Sequence, residues 1–311
     1  MEAFELYIAP VQGHTDAAWR KFHREVYGRV AQSFTPFIRL EKGDPRRRDM
    51  ADFTSPLNAD DPDLEPQVIF RDMDELAVLL TALRDAGASR VNLNLGCPFP
   101  LQTAKGRGAA ILDHPDCLDP LPEIMARFPE ISLSVKMRLG LGSPDQWRPV
   151  LDRLRYVPLR HIAVHPRTAR EQYSGPLHLD QFSALMHSAP APVIYNGEIH
   201  TPADIEATRT GFPAIAGVMC ARGLLRRPSL FSEYIEGREW DAPKRLEHIL
   251  RFHSLLFEHY NATLCGPSQI LSKIKPFWEY AEPEIGHKAA KAIRKATTLP
   301  KYAAAISMIA Q

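Results

Sequence analysis

The sequence predicts a (β/α)8 TIM barrel, an α/β fold, followed by a smaller all-α helical bundle. Eight short apolar segments alternate with stretches of helical period over about residues 1–240. Nearly every apolar segment ends in a polar or cationic cluster, which is where a barrel of this kind carries its chemistry. After Trp240 the strand pattern stops and only helical periodicity continues. The expected domains are therefore residues 1–240 and residues 241–311.

Residues 4–9 read as the first strand, stopped by Pro10, and residues 16–27 as a helix capped by Thr15 or Asp16. Residues 33–40 are the second strand. Residues 42–66 are rich in Pro, Asp and Arg without periodicity, so an extended loop is expected in place of a crossover helix. Residues 67–70 form the third strand, and residues 74–86 a helix whose Leu76, Leu79, Leu80 and Leu83 share one face. Strands follow at 90–95, 132–138, 160–165, 192–195 and 214–219. Helices fall near 115–128, 145–156 and 179–187, another opens at Thr201-Pro202, and a last one covers 227–235. In the tail, residues 242–260, 268–280 and 285–297 carry helical periods, with a short helix after Pro300.

Composition is that of an ordinary globular chain of 311 residues with a formal charge of +1. Its start is acidic and lacks a basic, apolar leader, so secretion is not expected, and no stretch approaches the apolar length of a membrane span. Four cysteines stand far apart with no C-x-x-C pair, which suggests neither zinc nor disulfides and no metal site. A cytoplasmic monomer is the expectation. Residues 241–311 hold ten Lys/Arg against six Asp/Glu, leaving the tail at +4 and the rest at −3. A positive tail suits a polyanion, although a solvated helix face is often this charged.

The centre of the chain is residues 90–107. Val91, Leu93 and Leu95 alternate with Asn92 and Asn94, the period of a strand with two different faces, and Gly96 and Pro98 end it around Cys97. A cysteine is often just a small buried apolar residue. Here the two asparagines before it and Lys105, Gly106, Arg107 and Gly108 after it favour a presented thiol. Other strand ends offer Pro10-Val11-Gln12, Gln67, Lys136 with Arg138, His165 with Arg167, Asn196-Gly197-Glu198 and Ala221-Arg222-Gly223. The last two clusters have the glycines and guanidinium of a barrel phosphate site.

The run Asn94-Leu95-Gly96-Cys97-Pro98 resembles the signature of the tRNA-dihydrouridine synthases, in their bacterial type. Six further motifs are similar in order and spacing: Ala9-Pro10-Val11-Gln12-Gly13, Gln67, Val135-Lys136-Met137-Arg138-Leu139-Gly140, Val164-His165-Pro166-Arg167-Thr168, Asn196-Gly197-Glu198-Ile199 and Val218-Met219-Cys220-Ala221-Arg222-Gly223. The helical tail, with Ile274-Lys275 and Trp278, looks like the family's tRNA-binding domain.

That resemblance implies an FMN-dependent oxidoreductase that uses NADPH to reduce the C5–C6 bond of a uridine in tRNA. Cys97 is then the catalytic proton donor to C5. Pro10, Val11, Gln12, Gln67, Lys136, His165, Asn196, Gly197, Glu198, Ala221 and Arg222 would hold FMN. Asn94, Arg138, Arg167, Lys273, Lys275, Lys288, Lys291, Arg294 and Lys295 would face the tRNA, with Arg46, Arg47 and Arg48 as further contacts. The target base must leave its stack. NADPH would dock on the flavin, consistent with the absence of a Gly-x-Gly-x-x-Gly fingerprint. Three positions depart from the family pattern: Val11 for methionine, Pro166 for glycine, and Ala221 for a glycine whose loss would crowd a phosphate if φ were positive there. A flavin barrel reducing a free pyrimidine or enone, and a silent RNA-binding barrel, are the alternatives.

Overall fold

The alternation becomes eight strands in a computed structural model that describes residues 4–309: β1 (Glu5–Ile8), β2 (Gln32–Phe34), β3 (Leu64–Glu65 with Gln67–Val68), β4 (Arg90–Leu95), β5 (Ser132–Gly140), β6 (Leu159–Thr168), β7 (Val193–Tyr195) and β8 (Gly217–Cys220). Residues 1–3 and 310–311 of the expected domains lie outside the described residues.

The sheet closes on β3. Leu64–Glu65 pairs with β2 and Gln67–Val68 with β4, so the two edges of the sheet are halves of one segment interrupted at Pro66. Proline has no N–H to give a ladder, but its carbonyl still accepts from Asn92 N at 2.9 Å. A parallel (β/α)8 barrel results, as the periodicity predicts.

The two faces of β4 separate as their chemistry requires. Val91, Leu93 and Leu95 are fully buried, as are Leu76, Leu79, Leu80 and Leu83 of the Met73–Asp85 helix. Asn92 and Asn94, on the opposite face by the period of two, are also buried and meet polar partners.

Several elements differ from expectation. The expected loop at 42–66 holds a hairpin (Leu40–Glu41 with Asp44–Pro45), a helix at Arg47–Phe53 and a 3-10 turn at Pro56–Asn58. The helix is only seven residues long and most of its positions are polar, which hides it from a periodicity reading. The helix expected at 115–128 is broken into Pro115–Leu118 and Leu121–Ala126 around Pro120. Similarly, Pro276 follows the end of the Pro267–Ile274 helix, and Gly286, at φ +81, divides Glu282–Ile285 from His287–Lys295.

The chain gathers into two compact units: Met1–Pro10, Ala31–Gly197 and Ala207–Met219 form the first, and Val11–Val30, Glu198–Glu206 and Cys220–Gln311 the second. In the second, the Ala17–Tyr27 helix packs on Ala242–Thr263 through Trp19 against Phe252, ring centroids 5.5 Å apart. Trp278 Nε1 donates to the Tyr302 hydroxyl, which also pairs with His253 Nε2 at 2.7 Å. Among the described residues no helix is long and apolar enough to cross a membrane.

Candidate active site

Cys97 sits where β4 ends, and Asn94 fixes it there. The Asn94 Oδ1 accepts from Gly96 N at 3.0 Å and Cys97 N at 2.9 Å, an Asx turn that closes the strand end. From the other side the loop returns to Gly108, whose φ of +62 needs glycine; a Cβ there would lie 3.0 Å from the Cβ of Cys97. The thiol is half-buried. Desolvation pushes its pKa above the ordinary value, against smaller opposing effects that include Lys136 and Arg138, so it stays protonated at neutral pH.

Asn94 is the top of a hydrogen-bonded chain through the barrel interior. Its Nδ2 donates to Gln67 Oε1 and Gln67 Nε2 donates to Asn92 Oδ1, both at 2.7 Å; Asn92 Nδ2 then donates to Ser134 Oγ at 2.6 Å. Ser134 in turn donates to Glu65, which Arg160 Nη1 reaches at 2.8 Å. Because Asn94 Oδ1 is committed to two backbone N–H groups, each amide below it has one orientation that satisfies its neighbours. Gln67 thus uses both ends of its side chain within the protein, and each end keeps one further hydrogen-bonding capacity. Glu65, Ser134 and Arg160, near the starts of β3, β5 and β6, carry this chain toward the opposite end of the strands, and the sequence reading marked none of them. The only local signal was Asn92, two residues before Asn94 on the same face.

Sheet register places Asn94 beside Lys136 and Arg138 beside His165. The Lys136 ammonium makes no hydrogen bond or ion pair with any described residue, and burial, helped by Arg138, depresses its pKa to about 7. Burial and the cations Arg138, Lys136 and Arg167 hold His165 well below the usual histidine range, hence neutral, and its buried Nε2 has no partner among the described residues. A ring nitrogen and an ammonium left unmet on adjacent strands fit a polar cofactor such as a flavin.

Arg138 and Arg167 were expected to face RNA, but the structure turns both inward. Arg138 donates to the carbonyls of Gly96, Thr168 and Gln172, and Arg167 Nε to that of Gly175. They hold the loops after β4 and β6. Tyr173, exposed and 5.3 Å under the Arg138 guanidinium, is an aromatic at this rim that no sequence pattern marked. Pro166 coincides with a register shift between β5 and β6, where a missing N–H costs no ladder bond. Asn196 Nδ2 donates to Met219 O at 2.7 Å, tying β7 to β8 beside Gly197.

In the second unit, Val11 N donates to Thr15 Oγ1, next to exposed Gln12. Glu198 pairs with Arg222 at 3.5 Å. A Cβ at Gly223 would lie 1.9 Å from Ile199 O, so this glycine lets the loops after β7 and β8 meet. Ala221 has a negative φ of −110, so the crowding expected at positive φ does not arise. Of the tail cations, Lys273 pairs with Asp16, Lys275 caps the carbonyls of Arg294 and Ala296, and Arg294 pairs with Glu282. Lys288, Lys291 and Lys295 stay exposed and carry no ion pair with a described residue, opposite the buried Ala289, Ala290 and Ile293 of their helix.

Residues 7–296 match the family model described as dihydrouridine synthase (Dus). The chain belongs to the dihydrouridine synthase family. A relative from Cryptococcus neoformans, named tRNA-dihydrouridine(47) synthase, NAD(P)(+), is 32% identical over 200 residues; the match covers 59% of this chain and 27% of that protein. A Pseudomonas putida protein named tRNA-dihydrouridine(16) synthase is 28% identical, covering 76% of this chain and 74% of its own length. A probable tRNA-dihydrouridine synthase of Rhodobacter capsulatus is 26% identical, with coverage of 83% and 79%. Among solved structures, morphinone reductase superposes with a TM-score of 0.52 at 10% identity over 76% of this chain and 87% of its own, a likeness of fold alone.

Proposed function

We propose that this dihydrouridine synthase family member reduces a uridine of tRNA, with Cys97 giving the proton to C5 of the ring. The observation that carries the reading is a thiol kept protonated by burial and latched by Asn94 at a strand end of the barrel. A general acid must hold its proton at the working pH, and a raised pKa serves that where a lowered one would defeat it.

When bound, FMN supplies the hydride for C6 of the uracil and is recharged by NADPH; the reductant follows the NAD(P) in the relative's name. Lys136 and His165 Nε2 are its proposed polar contacts in the barrel, together with Gln67 through its remaining capacity, Pro10 and Asn196-Gly197. Val11, Gln12, Glu198, Ala221 and Arg222 complete the assigned set, the last two at the phosphate. Asn94 positions the thiol through the backbone, and Arg138 does so through the Gly96 carbonyl. For the tRNA we assign Lys288, Lys291 and Lys295, whose ammonium groups are uncommitted and can release counterions from phosphate. Residues 1–240 then carry the cofactor and 241–311 the RNA. Relatives are named for positions 16 and 47, so the modified position has to be mapped.

The test is dihydrouridine formation in an unmodified tRNA transcript with FMN and NADPH, read by mass spectrometry. Wild-type protein should be yellow and active, and Cys97→Ala should stay yellow while losing dihydrouridine. Full activity in Cys97→Ala removes the assigned role, and colourless protein removes the flavin.

A further inference from the structure

Beyond the thiol, the same loop walls a groove of about 840 Å³ that the reaction described above does not use. Its other walls are the Leu40–Pro45 hairpin and the start of the Met73–Asp85 helix. Resting on the tRNA reading, we infer that this groove binds the ribose-phosphate backbone and one unstacked base of the RNA strand flanking the target uridine.

The groove is a built site. Arg107 forms a two-point ion pair with Glu75, at 3.0 and 2.7 Å, and also reaches Leu40 O at 3.3 Å, bolting loop, helix and hairpin together in a buried floor. Arg71 is spent on Asp72 at 2.8 Å and Glu75 at 3.3 Å, so with those pairs set aside the walls keep Arg39, Lys42 and Lys105 against Glu41, an excess of positive charge. Lys42 and Lys105 are exposed, and their ammonium groups engage no described residue in an ion pair or hydrogen bond, which leaves both available to phosphate.

Charge alone would accept any polyanion, but two further features narrow the partner. Phe99 and Leu101 stand on the rim at 54% and 66% exposed, two and four residues after Cys97, and an exposed aromatic ring among cations is a platform for a base. Gln102 lines the groove at 6% exposed, and its Oε1 is buried with no partner among the described residues. An unmet acceptor calls for a donor, which phosphate lacks. A ribose 2′-hydroxyl or a base N–H supplies one, and both are presented by unpaired RNA. A strand held here would be fixed on the same loop that carries the thiol.

The experiment measures binding of an unmodified, fluorescently labelled tRNA transcript to full-length protein by anisotropy over a salt series. Lys42→Gln/Lys105→Gln should lose about 10-fold in affinity at low salt and flatten the slope of log K against log salt by about 2, one for each phosphate contact. Phe99→Ala should lose about 5- to 100-fold and leave that slope unchanged. Flavin content and thermal unfolding, measured on each variant, should stay at wild-type values because these side chains lie on the surface. If both variants bind within about 2-fold of wild type while wild type forms dihydrouridine, the groove assignment falls and the enzymatic reading stands. If wild type neither binds nor reduces tRNA, both fall.

Discussion

Replacing Lys136 with methionine should stabilise the flavin-free protein, by an amount that shrinks as pH rises. The ammonium has no described partner, and burial lowers its pKa from the ordinary 10.5 to about 7. The step from 10.5 to about 7, at about 1.36 kcal/mol for each tenfold change in proton affinity, bounds the cost of the buried charge at about 5 kcal/mol. Lys136 keeps partial solvent exposure, so screening brings the expected gain to about 2–3 kcal/mol. The sign follows from proton counting. Between about pH 7 and 10.5 the unfolded chain binds a proton that the folded chain does not, so wild-type stability rises with pH across that window. Methionine's advantage is complete below it and fades through it. Urea unfolding of flavin-free wild type and Lys136→Met at about pH 6 and about pH 9 checks this. An advantage that is flat or grows with pH would refute the unpaired-cation account. The variant should also lose flavin affinity, since a cation with nothing to pair with is costly unless a ligand meets it.

Three further outcomes follow from the same geometry. Turnover by the wild-type protein should be level through neutral pH and fall only on the alkaline side, because burial keeps Cys97 protonated; a rate that climbs with pH would indicate a thiolate mechanism. Gly108→Ala should cost about 1–2 kcal/mol in urea unfolding for its left-handed backbone. Its Cβ, 3.0 Å from Cys97 Cβ and O, should also lower turnover more than flavin content, and unchanged turnover counts against the latch. Arg107→Met alone should cost up to about 3 kcal/mol by taking from Glu75 its two-point partner and leaving it Arg71 at 3.3 Å, whereas Arg107→Met/Glu75→Leu should recover most of the loss; equal losses would show that the pair is not a unit.

The strand-and-helix order of the barrel was legible because each element announces itself over a few residues. Val91, Leu93 and Leu95 alternate with asparagines, and Gly96 and Pro98 mark the stop. Short pieces shaped by packing were not legible: the Arg47–Phe53 helix is too brief and too polar to show a period, and prolines broke the segment after β4 into turns. Residues 11–30 precede most of the barrel in chain order, yet they group with residues 220–311, where Trp19 packs on Phe252 of the Ala242–Thr263 helix.

Sequence by itself determined the eightfold alternation, the position of Cys97 at a strand end, and the motifs that mark the family. Tertiary structure alone decided what the polar residues do. Gln67 meets Asn92 across 25 residues of chain and Glu65 meets Arg160 across 95, so the network under the thiol exists only once the barrel has closed. The same closure spends Arg138 on backbone carbonyls and leaves the Lys136 ammonium without a partner among the described residues, because hydrogen-bond partners are chosen by distance in space while periodicity reports only which face a residue occupies.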